Sequence, residues 1–329
     1  LQLIFLYKYV SKYYSLKFSF KLKVSDKVKF FFKKLLPSIF ASGVTQINIL
    51  IGTIIASFQA SAVSYLYYAD RIYQINLAIA GIAIGVVILP QLSKHIQSRK
   101  KNKILLIQNK ALELSLFLSL PATIALIIGS EQIVSALFGY GSFNENSVIN
   151  SSLALYYFAL GLPAFALIKV FSSFFFANND TKTPFYISLI SVLIFSKSLG
   201  DQLVYYLSYG VSLAGFLQLI FLYKYVSKYY TLKFSFNLKA SNKVKFFFKK
   251  LLPSIFSSGV TQINILIGTI IASFQASAVS YLYYADRIYQ INLAIAGIAI
   301  GVVILPQLSK HIQNRKKDKI LLIQNKALE

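Results

Sequence analysis

The sequence predicts an all-α, polytopic transmembrane helix bundle, and two observations carry that prediction. Of the 329 residues, 56% are hydrophobic and 13% are charged, and the mean hydropathy is +0.62. This excess of apolar residues is greater than one soluble core can bury. The apolar residues also form runs that are long enough to cross a bilayer, and Lys and Arg concentrate between those runs. Lipid is therefore the expected surroundings of most of the chain.

The chain contains a long internal repeat, since residues 1–113 recur almost unchanged as residues 217–329. It therefore divides into a first copy (residues 1–113), a central segment (residues 114–216) and a second copy (residues 217–329). Internal repeats of transporters are normally visible only as weak similarity. So faithful a copy indicates a recent duplication, a gene fusion or a sequence-assembly error. Because the chain also opens inside an apolar run without Met, we expect an incomplete or rearranged part of a longer protein.

The apolar runs define the expected spans in order along the chain. A hydrocarbon core of about 30 Å needs about 20 apolar residues in a helix. Runs of this kind cover residues 37–58, 71–92, 111–129, 151–177, 202–225, 253–274 and 287–308, with a shorter run at 183–194 and the tail of a further helix at 1–10. The sequence therefore predicts about eight complete spans and one partial span.

The charges of the connecting segments predict how the bundle is oriented. Short cytoplasmic loops carry an excess of Lys and Arg. Residues 8–34 and 94–110, with their copies, are strongly basic, whereas residues 59–69 and 131–150 contain neither Lys nor Arg. We therefore expect the basic segments in the cytoplasm and the other two outside. The formal net charge of +24 then indicates anionic membrane lipids as partners rather than nucleic acid.

A polar stripe on the span 71–92 contains the strongest candidate for a binding residue. At helical spacing Arg71, Gln74, Gly81 and Gly85 fall on one face, which is expected to meet protein or water. A guanidinium stays charged and offers a planar fork of donors, so Arg71 is expected to bind the phosphate of a lipid headgroup. Gly81 and Gly85 form a small-xxx-small pair that permits close helix packing. Alternatively, Arg71 only reaches the headgroups from a helix that its neighbour Asp70 caps.

Further residues are candidates for the same site. Gln46 lies on the polar face of the preceding span, where it either lines the site or holds helices together. Lys169 is a charge within an apolar run, which marks a functional candidate, although snorkelling to the cytoplasmic surface explains it equally well. The substrate-binding candidates are Gln46, Asp70, Arg71 and Gln74 with their copies Gln262, Asp286, Arg287 and Gln290, and the packing glycines Gly81 and Gly85 have the copies Gly297 and Gly301.

The sequence gives little support for catalysis. It contains no Cys and two His, and neither a phosphate-binding loop nor a zinc-protease motif is present. We therefore expect a transporter rather than an enzyme. It is expected to need no metal or cofactor and to be driven by the membrane potential or an ion gradient.

Several segments resemble one transporter family. Residues 37–95, which include the sequence YYADR, resemble the seventh and eighth helices of the MurJ (MviN) lipid II flippases. Residues 118–143 resemble the family's ninth helix with its outer loop, and residues 169–184, KVFSSFFFANNDTKTP, resemble the tenth helix and the turn that follows it. Residues 209–226 resemble the family's sixth helix, so the order of the segments is abnormal.

The resemblance implies a MATE-like lobe of the MOP exporter fold in the bacterial inner membrane. It implies transport of an undecaprenyl-pyrophosphate-linked peptidoglycan precursor, lipid II, by alternating access. Arg71, and by duplication Arg287, matches the family's essential cavity arginine. The family's other cavity arginines lie in its first two helices, which this sequence does not contain, so the chain alone is not expected to flip lipid. The alternatives are an O-antigen-type polysaccharide exporter or multidrug exporter of the same superfamily, and a non-transporting membrane remnant or scaffold.

Overall fold

The computed structural model of the chain describes part of the sequence. The described residues are 61–178, 203–227, 242–275, 277–293 and 317–328, with shorter stretches at 8, 11, 53–54, 56–58, 180, 182–184, 186–187, 304–305, 308 and 311–312. Within these helices the side chains of residues 203–209, 242–252, 254–258, 287, 291–292, 317 and 324–328 are outside the described part.

The described elements are all helical, which confirms the predicted all-α class. In chain order they are α1 (Ala62–Leu77), a π-helical turn (Ala78–Ile82), α2 (Ala83–Gln97), α3 (Lys101–Phe138), α4 (Glu145–Ala177), α5 (Leu203–Ser227), α6 (Asn242–Ser273), α7 (Ala278–Leu293) and α8 (Lys317–Leu328). Residues 62–69, which we had expected in an outer loop, belong to α1, because the segment contains neither Gly nor Pro to end a helix.

Four described helical stretches are long and apolar enough to cross a membrane. They are Ala62–Gln97, Lys101–Phe138, Glu145–Ala177 and Gly210–Ser227. The first three contain the predicted spans 71–92, 111–129 and 151–177, and the fourth overlaps the span 202–225. The predicted spans 1–10, 37–58 and 183–194 lie wholly or largely outside the described residues, so the total number of spans stays a prediction.

Helix α4 is central to the bundle and packs against α1, α2, α3 and α5. It begins where the Asn144 side chain accepts a hydrogen bond of 2.9 Å from the Ser147 backbone N–H, and Glu145 lies in its first turn. An N-cap oxygen and a carboxylate both stabilise a helix N-terminus. Two hydrophobic clusters form around α4, one containing Tyr68 and Phe138 and the other containing Phe171.

A π-helical turn interrupts the helix on which we expect one polar stripe. An i→i+5 turn has more residues per turn than an α-helical one, so the residues after it are rotated about the axis. Gly81, within the turn, and Gly85, after it, lie against α4, whereas Arg71, before it, pairs with Asp70 of α1. Helices α1 and α2 both pack against α4 and α6, so the single continuous face stays a prediction.

Candidate functional site

The candidate site is built around the guanidinium of Arg71, in the first half of the span Ala62–Gln97. Arg71 is only 7% exposed. Its Nη2 donates a hydrogen bond of 2.6 Å to Asp70 Oδ2, and its Cζ lies 4.6 Å from the centre of the Tyr67 ring. Residues four apart share a helix face, so Tyr67 and Arg71 can make this cation–π contact. The buried cation is therefore neutralised by Asp70 on one side and covered by the Tyr67 ring on another.

Asp70 connects Arg71 to Gln74. The Gln74 Nε2 donates a hydrogen bond of 3.2 Å to Asp70 Oδ1, so both carboxylate oxygens have donors. The Asp70 side chain is 28% exposed, compared with 8% for that of Arg71. Asp70 is therefore the more accessible member of the ion pair.

The site adjoins the second copy of the repeat. The Tyr67 ring beneath the Arg71 guanidinium meets the Tyr283 ring of α7 edge to face, with ring centres 4.8 Å apart. In α7, Gln290 Nε2 donates a hydrogen bond of 3.4 Å to Asp286 Oδ1, which repeats the arrangement of Gln74 and Asp70. The second copy therefore borders the surroundings of Arg71 through an aromatic contact.

The guanidinium of Arg71 is only partly satisfied. A buried guanidinium is costly unless it is paired, and Asp70 supplies that pairing here. Within the described part of the chain, the Nε–H of Arg71 is buried without a hydrogen-bond partner, so one donor of the fork is unused. A phosphate that replaces or joins Asp70 would satisfy this donor and form the bidentate contact that guanidinium geometry favours.

The interpretation in which Arg71 snorkels from a helix end is wrong. Helix α1 begins at Ala62, so Asp70 lies within the helix rather than at its N-terminus. At 1.5 Å per residue, Arg71 is roughly 14 Å along the axis from that start. Its low exposure also excludes a guanidinium that extends into surrounding headgroups.

Gly81 and Gly85 lie where the span approaches α4 most closely. A Cβ at Gly81 would lie 2.9 Å from Ala166 Cα, and one at Gly85 would lie 2.8 Å from Ser173 Oγ and 3.2 Å from the Lys169 carbonyl oxygen. Neither position has room for a side chain without movement. The two helix backbones therefore pack directly on each other here.

Lys169 is close to these glycines and not to Arg71's ion pair. Its Cγ lies 3.3 Å from the Cβ position of residue 81, its side chain is exposed, and within the described part of the chain it forms no ion pair. Long side chains on helices lean toward the N-terminus. For Lys169 this direction leads away from the nearby C-terminal end of α4 at Ala177.

The remaining candidates are only partly described. Gln262 lies on α6, and its side-chain carbonyl oxygen is buried with no hydrogen-bond partner among the residues that the structure describes. Arg287 lies on α7 with its side chain outside the described part, and Gln46, Gly297 and Gly301 lie outside the described residues altogether.

Sequence reasoning missed the contact that accompanies the π-helical turn. Ser115 of α3 donates a hydrogen bond of 2.7 Å from Oγ to the Ala80 carbonyl oxygen, within the turn. A π-helical turn changes which backbone carbonyls are bonded within the helix, so a donor from a neighbouring helix stabilises it. The only signal in the sequence is a pair of serines, Ser115 and Ser119, four residues apart in an apolar run.

Comparison with known proteins identifies the family. The family model for the lipid II flippase MurJ matches residues 1–194 and 189–329. A probable lipid II flippase MurJ of Rickettsia prowazekii is 35% identical over 280 residues, which are 83% of this chain and 52% of that protein. The corresponding protein of Rhizobium meliloti is 44% identical over 172 residues, which are 52% of this chain and 32% of that protein. The chain thus spans about half or less of the length of these relatives.

Solved structures share the fold at low sequence identity. A lipid II flippase MurJ in an inward closed conformation has a TM-score of 0.53 and 19% identity, and the match covers 95% of this chain and 59% of that one. A MATE protein in complex with MaD3S has a TM-score of 0.71 and 16% identity, with coverage of 90% and 68%. These likenesses show a transporter fold of the MATE and MOP type. Together with the family model, they place this integral membrane chain in the lipid II flippase MurJ family.

Proposed function

We propose that this chain belongs to the machinery that moves lipid II, a lipid-linked peptidoglycan precursor, across the bacterial inner membrane by alternating access. One observation carries the proposal, namely a buried arginine with an unsatisfied donor, Arg71, in the YYADR segment of a MurJ family member. A guanidinium at this depth is costly in lipid, so a role for it is expected. A pyrophosphate-linked lipid offers the charge and the oxygens that the guanidinium fork fits.

The proposal includes the surroundings of the protein. The strongly basic segments 8–34 and 94–110 favour a cytoplasmic location and contact with anionic lipids. Transport against a gradient needs an energy source, and we propose the membrane potential or an ion gradient without a bound cofactor. A pyrophosphate carries several negative charges, so its movement is sensitive to the potential at about 2.3 kcal/mol per charge per 100 mV.

Binding of lipid II to the purified chain in detergent tests the proposal. We expect Arg71→Gln to weaken binding on the order of 10- to 100-fold, because hydrogen bonds to charged groups are lost. Arg71→Lys keeps the charge and loses the planar fork, so its affinity for lipid II should lie between that of the unsubstituted chain and that of Arg71→Gln. Ethidium serves as a control ligand for the multidrug-exporter alternative.

The outcomes separate the alternatives. Binding of lipid II with no dependence on Arg71 would overturn the proposed site. Binding of ethidium but not of lipid II would favour a multidrug exporter, and binding of neither would favour a scaffold. Sustained export of lipid II by this chain in proteoliposomes would overturn the expectation that the chain alone does not flip lipid.

A further inference from the structure

Lys169 is accessible in a part of α4 that is otherwise covered. The structure describes residues 157–177 of this helix completely, and Lys169 is the one exposed residue among them. Its neighbours Ile168 and Val170 are 5% and 0% exposed, because α4 packs against α1, α2, α3 and α5. Protein also encloses the surroundings of Lys169. A side chain that is enclosed and yet accessible lines an opening within the bundle rather than the outer surface.

The aliphatic stem of Lys169 lies in the space that two glycines leave open. Gly81 approaches Ala166 and Gly85 approaches Ser173, so α4 runs in the same direction as the helix that carries the glycines. The Lys169 carbonyl oxygen is 3.2 Å from the Cβ position of residue 85, whereas its Cγ is 3.3 Å from that of residue 81. The stem therefore extends from the level of Gly85 to that of Gly81, toward the N-terminal end of both helices.

This direction does not agree with snorkelling to the cytoplasmic surface. A lysine that snorkels extends its ammonium toward the nearer interface, and for Lys169 that interface is at the nearby C-terminal end of α4, Ala177. The stem extends the opposite way. Lys169 therefore directs its charge into the bundle, where an unpaired charge is costly.

The polar groups near Lys169 leave its ammonium without a counter-charge. The Ser173 hydroxyl donates a hydrogen bond of 3.0 Å to the Lys169 backbone carbonyl oxygen, so it is used by the backbone. In the part of the chain that the structure describes, Lys169 forms no ion pair. Charges within a membrane span mark the pathways of ions or substrates. An anion from outside the chain is therefore the expected partner.

Lys169 and Arg71 lie at different depths of the bundle. The helix rises 1.5 Å per residue, so Gly81, beside the Lys169 stem, is roughly 15 Å along the axis from Arg71. One phosphate or diphosphate group cannot reach both cations. An elongated ligand can, since four to five residues of extended peptide span roughly 15 Å.

We propose that Lys169 is a second ligand-binding residue of the bundle, whose ammonium binds a carboxylate on the peptide of the lipid-linked peptidoglycan precursor. The inference rests on the proposed function for the identity of the ligand. A peptide carries a terminal carboxylate, and an ammonium binds it without the planar geometry that a guanidinium fork requires. The diphosphate and the peptide end of one elongated headgroup are then bound at Arg71 and at Lys169.

Thiol labelling tests the opening without reference to any ligand. The chain contains no Cys, so Lys169→Cys introduces a single thiol, and a charged methanethiosulfonate reagent modifies thiols that water reaches. The control is Ile124→Cys, because Ile124 is 57% exposed on the span Lys101–Phe138 and is expected to face lipid. In proteoliposomes we expect fast modification of Lys169→Cys and little of Ile124→Cys, since a thiol in apolar surroundings does not ionise readily. Equal rates at the two positions would overturn the opening.

Binding of lipid II and of lipid II with amidated peptide carboxylates tests the ligand. Lys169→Gln should weaken binding of lipid II to the purified chain by about tenfold and leave binding of the amidated form unchanged. Lys169→Arg keeps the charge and should retain most of the affinity for lipid II. Equal weakening of both ligands by Lys169→Gln would overturn the carboxylate as the partner of Lys169.

Arg71→Gln separates this inference from the proposed function, because it should weaken binding of both ligands. Binding of lipid II that depends on Arg71 and not on Lys169 would overturn the inference and leave the proposed function intact. A chain that binds neither ligand, although Lys169→Cys is modified, would overturn the proposed function and the carboxylate site together.

Discussion

Substitution of Gly81 by alanine tests whether the π-helical turn lies against α4. The added Cβ would lie 2.9 Å from Ala166 Cα and 3.3 Å from the Ala166 carbonyl oxygen. Both are backbone atoms, so they cannot rotate away as a side chain can. The two helices would have to separate by a few tenths of an ångström or more.

The expected magnitude follows from two opposing terms. Alanine gains about 1 kcal/mol over glycine within a helix because it restricts the unfolded chain. Overpacking of a tight contact costs roughly 1–3 kcal/mol, and contact with rigid backbone favours the upper part of that range. We therefore expect Gly81→Ala to destabilise the protein by about 1–2 kcal/mol net. Gly85→Ala should be milder, because its nearest neighbour, at 2.8 Å, is the side chain of Ser173.

The chain provides a matched control in Gly268, which lies within α6 and has no atom of the described residues within 4 Å of its Cβ position. Gly268→Ala should be stabilising by up to about 1 kcal/mol, since only the helix-propensity term acts. Thermal unfolding of the purified protein in one detergent measures all three variants. We expect the melting temperatures to rise in the order Gly81→Ala, Gly85→Ala, Gly268→Ala. Equal melting temperatures for the first and last variants would show that no close approach exists at Gly81.

Two further predictions concern buried polar groups. Ser115→Ala removes the buried hydrogen bond to the Ala80 carbonyl oxygen and should lower stability by about 1 kcal/mol or more. The control Ser119→Ala should cost less, because the hydrogen bond that the Ser119 hydroxyl makes in the described part is a long one of 3.4 Å within its own helix. Equal melting temperatures for the two variants would contradict a role for Ser115. Gln108 is 2% exposed, and neither its amide nitrogen nor its amide oxygen has a partner among the described residues. Gln108→Leu should therefore raise the melting temperature by removing an unsatisfied group that costs about 1–3 kcal/mol; a lower melting temperature would contradict this.

The spans were predictable because long apolar runs leave few alternatives to a membrane helix. Helix α3 extends well beyond the run 111–129, since Lys101 and its neighbours favour helix as much as the apolar residues do. The π-helical turn was not predictable, because helical segments with i→i+4 and i→i+5 backbone hydrogen bonds do not differ in amino-acid composition. Charge alone identified Arg71 as a candidate. The contact of Tyr67, which lies under the guanidinium, with Tyr283 joins residues far apart in sequence, and only the docking of two helices brings them together.

The π-helical turn is held in place from two sides. Ser115 of α3 bonds to the Ala80 carbonyl oxygen within it, and Gly81 lies against the Ala166 backbone of α4. The helix also packs on α4 before and after the turn, through α1 and through α2. A rearrangement of the Asp70–Arg71 pair on anion binding is therefore expected to move side chains of α1 rather than the helix itself.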